Sequence, residues 1–360
     1  MKENGVVKAY AANTNQGIVR DYNEDRVSIV LNMQKPPQKK CDRWPKCSFF
    51  AIFDGHGGHT CADFLRDNLH QFIIRDSEFP QNPRQAIVNG FWKSEMYFLD
   101  TVEKFSAGRQ NMLDRSGSCA IVTLFVDDVC YSANVGDSRA IMSCCGGKYT
   151  VALSEDHKPN EKEEHQRIIN AGGKIYQTQS MTKVQDENAK PGVMRDQILL
   201  GPHRVFPGRL SVSRTFGDIE AKRTKYQGNP KVVIATPDIK CFKIEDNYDY
   251  IVLGCDGIYD KLTNIQVIQA AWESSKKKFT DRGQAIHQNC GVAVEAILKS
   301  SVAEKSLDNI TVVIIAFKNF RKALKAEMDK FQEDLNKQKS DVTNAADISV
   351  SNGEDLHAAE

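Results

Sequence analysis

"SFFAIFDGHGGH", residues 48–59, joins an apolar run to an aspartate, two histidines and three glycines. Ser48 to Phe53 reads as a strand that is apolar on both faces, the pattern of a strand covered from two sides. From His59 to Arg75, the apolar residues Cys61, Leu65, Leu69, Phe72 and Ile73 keep helical spacing. The glycines therefore lie between a strand end and a helix start. An acid at the end of a buried strand sits on a rigid support, which makes Asp54 the first candidate functional residue.

On the N-terminal side, Val27 to Met33 reads as a strand, and the prolines and lysines of 34–47 mark a loop. On the C-terminal side, a helix is expected over 83–105. Residues 117–154 alternate Val-, Ile-, Thr- and Tyr-rich runs with turn residues, predicting a β-meander of three or four strands. A short helix in 160–173 is stopped by Gly172. Between Lys174 and Gly208 the periodicity fades, and a loop of that length in a compact domain is usually functional or mobile. "YDYIVLGCDG" (248–257) is a buried strand ending in Asp-Gly, and Thr263 with Gln266 forms a capping box opening the next helix. Another helix lies around 291–302, and "NITVVIIAF" (309–317) is the last strong strand. Residues 318–337 carry a charged helical pattern, and 338–360 read as a polar, disordered tail.

Composition narrows the function classes. The chain has 360 residues, 41% hydrophobic, with 48 Lys and Arg against 47 Asp and Glu. A formal charge of +1 lacks the basic footprint of a nucleic-acid binder. No run reaches the ~18 apolar residues of a membrane helix, and "MKENGVVKAY" lacks the apolar core of a signal peptide. Ten cysteines without a CxxC pair point to a reducing compartment, cytoplasmic and/or nuclear. Cys41 and Cys47 are expected as exposed thiols of a loop.

Three apolar runs border on acids: Asp54 after "FAIF", Asp256 after "IVLGC", and Asp308 before "NITVVII". Glu24 and Asp25 stand before the strand that starts at Val27. Singly, each reads as an ordinary turn residue. Gathered in one pocket they could not all ionise unaided, because unit charges 4 Å apart repel by about 4 kcal/mol at an effective dielectric of 20. Two divalent cations and Arg20 would balance the five acids. Oxygen donors suit Mg²⁺ or Mn²⁺. Gly55 could turn its carbonyl toward a cation, Gly57 and Gly58 would keep space open, and His56 could protonate a departing alkoxide. The rival, zinc held by His56 and His59, lacks a third nitrogen or sulfur ligand nearby. A nucleotide-binding phosphate loop is absent.

The motifs "RDYNED" (20–25), "FAIFDGHGGH" (50–59), "SGSCAIV" (116–122), "ANVGDSRA" (133–140), "DHKPN" (156–160), "RLSVSRTFGD" (209–218), "LGCDGIYD" (253–260) and "LDNITVVII" (307–315) occur in order. In these the chain, from Ala9 to Phe317, resembles the metal-dependent protein serine/threonine phosphatases of the 2C type. The resemblance implies an α+β, four-layer sandwich, two antiparallel β-sheets packed face to face and flanked by helices, with a binuclear metal site at one end. It implies one catalytic domain over 1–317; compact relatives are shorter in the region 174–208, where this chain departs from the pattern with either a substrate-selecting flap beside the site or a tolerated surface insertion. Glu24, Asp25, Asp54, Gly55, Asp256 and Asp308 match positions in and around the metal shells. Arg20 matches the phosphate-holding arginine and His56 the general acid. Asp137 and Asp260 match positions that, with Asp256, hold a weaker third ion in some relatives.

The resemblance also implies the reaction: hydrolysis of phosphoserine and phosphothreonine by direct attack of a water activated by two Mg²⁺ or Mn²⁺ ions. The implied partners are phosphoprotein substrates, met by a monomer without an obligate regulatory subunit; neither nucleic acid nor membrane is expected. The alternative is a non-catalytic relative that binds phosphopeptides or acts as a scaffold. Such relatives typically lack one or more of the metal acids, and this chain has all of them.

Overall fold

Alternate residues of one short strand face two different cores. In β3 (Cys47–Phe53), Phe49, Ala51 and Phe53 pack against helices, whereas Phe50 and Ile52 face a second sheet. Burying one such side chain contributes about 1.5–3 kcal/mol before entropy is counted. The pleat therefore fixes the layer order. The structure, a computed structural model, describes residues 5–106, 113–185, 194–279 and 286–351.

The sheet containing β3 also holds β2 (Arg26–Val30), β6 (Ala120–Val126), β7 (Val129–Val135) and β13 (Asp238–Lys243), in the order β13-β7-β6-β3-β2. The facing sheet comprises β1 (Ala9–Asn15), β8 (Arg139–Cys144), β9 (Tyr149–Ala152), β14 (Tyr248–Gly254) and β15 (Ile310–Ala316), in the order β1-β15-β14-β8-β9. Every pairing in both is antiparallel. Phe50, Ile121, Phe125, Met142, Leu253, Val313 and Ile315 fill the space between them. Helices α1 (Thr60–Arg75) and α2 (Pro83–Ser106) cover the first sheet. The second is covered by α6 (Asn264–Lys278), α7 (Ile286–Ala303) and the start of α8 (Lys318–Ser351), through residues such as Trp272, Ile297 and Phe320. The architecture is the expected α+β four-layer sandwich.

The shorter elements sit at one end. They are β4 (Gly55–His56), β5 (Gly117–Ser118) and β12 (Phe216–Gly217), which form a small sheet, with α4 (Ile219–Lys222) and α5 (Asp256–Tyr259). Helix α3 (Lys162–Asn170) precedes a long antiparallel hairpin of β10 (Lys174–Gln185) and β11 (Met194–Phe206).

Several elements differ from the sequence reading. The faded periodicity of 174–208 hides that hairpin: residues 194–200 are exposed throughout, so no apolar alternation marks the strands, yet the ladder forms. Residues 186–193 of the segment lie outside the described residues. Strands β1 and β13 each pair on one side only, and Ala, Asn and Lys in them carry weak strand signals. Cys47 is not a loop thiol but a buried residue opening β3. Helix α8 runs beyond 337 to Ser351, where the composition suggests a disordered tail; 352–360 lie outside the described residues. Among the described residues, no helix is long and apolar enough to cross a membrane. Thr263 accepts from the Gln266 amide and Gln266 reaches back to the Thr263 amide, so the capping box forms.

Candidate active site

Antiparallel pairing sets the end of one strand beside the start of its neighbour. Asp54 follows β3, whose Phe53 pairs with Arg26, so Glu24 and Asp25 arrive beside it. Asp256 follows β14, whose Gly254 pairs with Val312, so Asp308 arrives beside it in the other sheet. The two sheets thus deliver acids to one end of the sandwich. A cleft of about 220 Å³ there is lined by Arg20, Glu24, Asp54, Gly55, His56, Cys119, Asp137, Asp256 and Asp308, together with Arg204 and residues 210–212.

Two of the candidate residues do not line it. Asp25 lies behind, buried, and its Oδ2 accepts from Thr311 Oγ1 at 2.6 Å. Asp260 is exposed and takes a 3.3 Å bond from Lys158 Nζ, which also lies 3.8 Å from Asp137. An ammonium therefore stands between two of the acids matched to a third ion.

The cleft is electrostatically unfinished. Asp54 Oδ2 is buried without a hydrogen-bond partner. Asp54, Asp256 and Cys255 each present a ligand atom within 4.8 Å of the others. Burial first, and then the charge of Asp256, push the Asp54 carboxyl well above its ordinary range. Burial, Asp137 and Asp308 do the same to Asp256. Asp25 is pushed up to about 6 by burial, against the lowering effect of the Thr311 bond. Burial also pushes the Cys255 thiol up, and the protonated sulfur faces the Asn309 carbonyl at 3.3 Å. Arg20 Nη2 meets Asp308 Oδ2 at 2.5 Å, with the guanidinium about half exposed at the mouth.

The glycines of this turn let the backbone approach closely. Gly57 and Gly58 adopt φ of +65° and +122°, a turn closed to most side chains, and Gly58 donates its amide to Glu24 Oε1 at 2.5 Å. Gly58 thereby orients an acid. A Cβ on Gly55 would come within 2.5 Å of the Glu24 carbonyl, so this glycine permits a close backbone approach.

His56 has a partner that the sequence did not announce. Its Nε2 lies 3.0 and 2.9 Å from the two oxygens of Asp218, which is 162 residues away. Gly117 pairs with His56 across β4 and β5, and a Cβ there would overlap both His56 Nε2 and Asp218 Oδ2. Burial disfavours the imidazolium, but the charge and bonds of Asp218, with Asp137 and Glu24, outweigh it and raise His56. His59 points to another acid, Asp63 Oδ2 at 2.6 Å, so the two histidines do not share a site. Asp218 closes the motif "RLSVSRTFGD"; its place in that motif was the available signal, but nothing local tied it to a histidine.

Comparison with known proteins identifies the family to which this chain belongs. The sequence model of the protein phosphatase 2C family matches residues 10–310, and the chain belongs to that family. A probable protein phosphatase 2C of Caenorhabditis elegans is 32% identical over 236 residues, covering 65% of this chain and 56% of the relative. Probable protein phosphatase 2C 7 of rice, Oryza sativa subsp. japonica, is 30% identical over 279 residues, covering 78% of this chain and 60% of the relative. The chain thus spans a little over half the length of these relatives. Among solved structures, a phosphatase from a pathogenic strain of Toxoplasma gondii superposes with a TM-score of 0.62 at 21% identity, over 88% of this chain and 94% of that one. Members of the family are metal-dependent protein phosphatases.

Proposed function

We propose that the chain hydrolyses phosphoserine and phosphothreonine in proteins, with water as the nucleophile and two Mg²⁺ or Mn²⁺ ions held at the acid cluster. The observation that carries this reading is Asp54 Oδ2, a buried and unpartnered oxygen amid other acids. Such a site is unfavourable until positive charge enters it. The cleft's side-chain donors are mainly carboxylate oxygens, which fits Mg²⁺ or Mn²⁺ rather than Zn²⁺.

Asp54, Asp256, Asp308 and Glu24 would hold the ions with the Gly55 carbonyl, and Asp25 would steady the group from behind through Thr311. Bound divalent ions acidify water and offset phosphoryl charge. Arg20 at the mouth grips the phosphate oxygens with its planar fork. His56 Nε2 is engaged by Asp218, which leaves Nδ1 to give a proton to the departing serine or threonine oxygen. A third, weaker ion at Asp137, Asp256 and Asp260 would compete with the Lys158 ammonium.

Ten free cysteines suit a reducing cytoplasmic or nuclear setting. One chain supplies every proposed group, so a monomer without a regulatory subunit suffices. The test is release of phosphate from p-nitrophenyl phosphate and a phosphothreonine peptide in Mn²⁺, in EDTA and after Asp54→Ala. Activity should vanish in the last two. Peptide binding without phosphate release in Mn²⁺ would favour a non-catalytic relative, which the full set of acids does not.

A further inference from the structure

We propose that the outer face at the base of the hairpin is a subsite for an anionic side chain of the substrate polypeptide, a carboxylate or a second phosphate, beside the catalytic cleft. This rests on the phosphatase reading. The strand register places Lys174 opposite Phe206, Ile175 opposite Val205, and Tyr176 opposite Arg204. Side chains alternate between faces, so Lys174, Tyr176, Arg204 and Phe206 share one face. Ile175 and Val205 take the other and pack with Ile168, Ala221 and Val232. The buried face anchors the base, and the cationic face is left open.

That open face lines a cavity of about 830 Å³ together with Thr178, Arg209 and part of Ile175, and no acid lines it. Arg204 also lines the catalytic cleft, so the two cavities share one side chain as a wall. Its Nη1 donates to the Arg209 carbonyl at 2.7 Å, which fixes the guanidinium. Elsewhere arginines such as Arg139, Arg214 and Arg223 meet carboxylates. Lys174, Arg204 and Arg209 form no ion pair among the described residues. Three such cations around one cavity repel one another, and an anion relieves them; a guanidinium suits carboxylate and phosphate alike. The two cavities share Arg204 and an extended chain advances about 3.3 Å per residue, so the anion is scanned over positions roughly two to four residues from the phosphorylated one.

The test uses the full chain with Mn²⁺ and matched phosphothreonine peptides carrying Gln, Glu or phosphoserine at those positions. The variant is Lys174→Gln with Arg209→Asn; Arg209 has φ +59°, which asparagine tolerates. The wild type should favour the Glu or phosphoserine peptide by about three- to tenfold in kcat/KM, and the preference should shrink with salt. In the variant it should fall toward unity while p-nitrophenyl phosphate turnover stays unchanged. A gain with phosphoserine alone assigns the subsite to phosphate; a gain with both assigns it to anions generally. No preference in the wild type, or the same preference in both proteins, overturns the proposal. Should no substrate be turned over at all, the phosphatase reading fails, and fluorescence anisotropy of the labelled peptides in EDTA reads the subsite alone. The same order of affinities, lost in the variant, is expected there; equal binding overturns it.

Discussion

Buried acids in two parts of this molecule end in opposite electrostatic states. Glu164, on α3, accepts from Arg167 at 2.8 Å, from Arg214 at 2.8 Å and from Ser213. Arg214 reaches on to Asp238 at 2.8 Å, whose other oxygen faces His157 at 3.1 Å. Burial alone would raise Glu164, but these bonds hold it down at about 2. Asp238 is likewise held below the usual carboxylate range, chiefly by His157 and then by Arg214. In the cleft Asp54 and Asp256 are pushed up by burial and then by the charge of neighbouring carboxylates, while Arg20 pairs with Asp308 and nothing donates to Asp54 Oδ2. The fold neutralises the first set of acids with its own groups and leaves the second for something else to neutralise.

This contrast is most exposed at Asp54. Asp54→Ala should lower kcat/KM on p-nitrophenyl phosphate in Mn²⁺ on the order of a thousandfold or more, about 4 kcal/mol. In EDTA its thermal midpoint should not fall, since a desolvated acid has been removed. A clear loss of metal-free stability would mean that Asp54 is a structural acid like Glu164. The converse substitution, Glu164→Gln, leaves Arg167 and Arg214 without their shared counter-charge and should destabilise by about 3 kcal/mol in urea unfolding. A change below about 0.5 kcal/mol, the usual size for an unremarkable surface site, would remove the contrast from that side.

His56 and Asp218 stand between the two extremes, a cleft pair that supplies its own counter-charge. His56→Ala should slow a phosphoserine peptide about a hundredfold and p-nitrophenyl phosphate only a few-fold, because nitrophenolate needs little protonation to leave. Equal slowing of both would falsify the general-acid role.

A more modest change is expected in pH dependence. Asp25 sits at about 6 when folded, above its ordinary 3.8, so the folded protein binds that proton more tightly than the unfolded chain does. Metal-free stability should therefore rise by about 1 kcal/mol between pH 7 and pH 5. Glu164 has the opposite sign, about 2 when folded against 4.5, so its contribution is present above pH 4.5 and is lost as pH falls toward 2. Urea titrations in EDTA across this range would show a maximum at roughly pH 4 to 5. A steady fall from pH 7 downward would show that the cleft acids carry no excess proton affinity.

Much of the sandwich was legible because its central strands are apolar. β3, β6, β14 and β15 announce themselves, and so do the α1, α2 and α6 patterns that cover them. Edge strands β1 and β13 and the hairpin were not, since strands with a free edge or two wet faces need no apolar alternation. The acids were visible as residues flanking strands, and their gathering results from antiparallel pairing. Asp218 was invisible as a partner for His56, because the contact closes over 162 residues and depends on the missing Cβ of Gly117.

The order of residues alone showed the family, the central strands and which acids stand at their ends, because hydrophobic period and residue type are local properties. The folded chain was needed to establish which of those acids line the cleft, that Asp25 stands behind it, that Lys158 lies between Asp137 and Asp260, and that Lys174, Arg204 and Arg209 face one cavity. Burial and electrostatic compensation depend on distances between segments far apart along the chain, and those distances exist only once the sheets have packed.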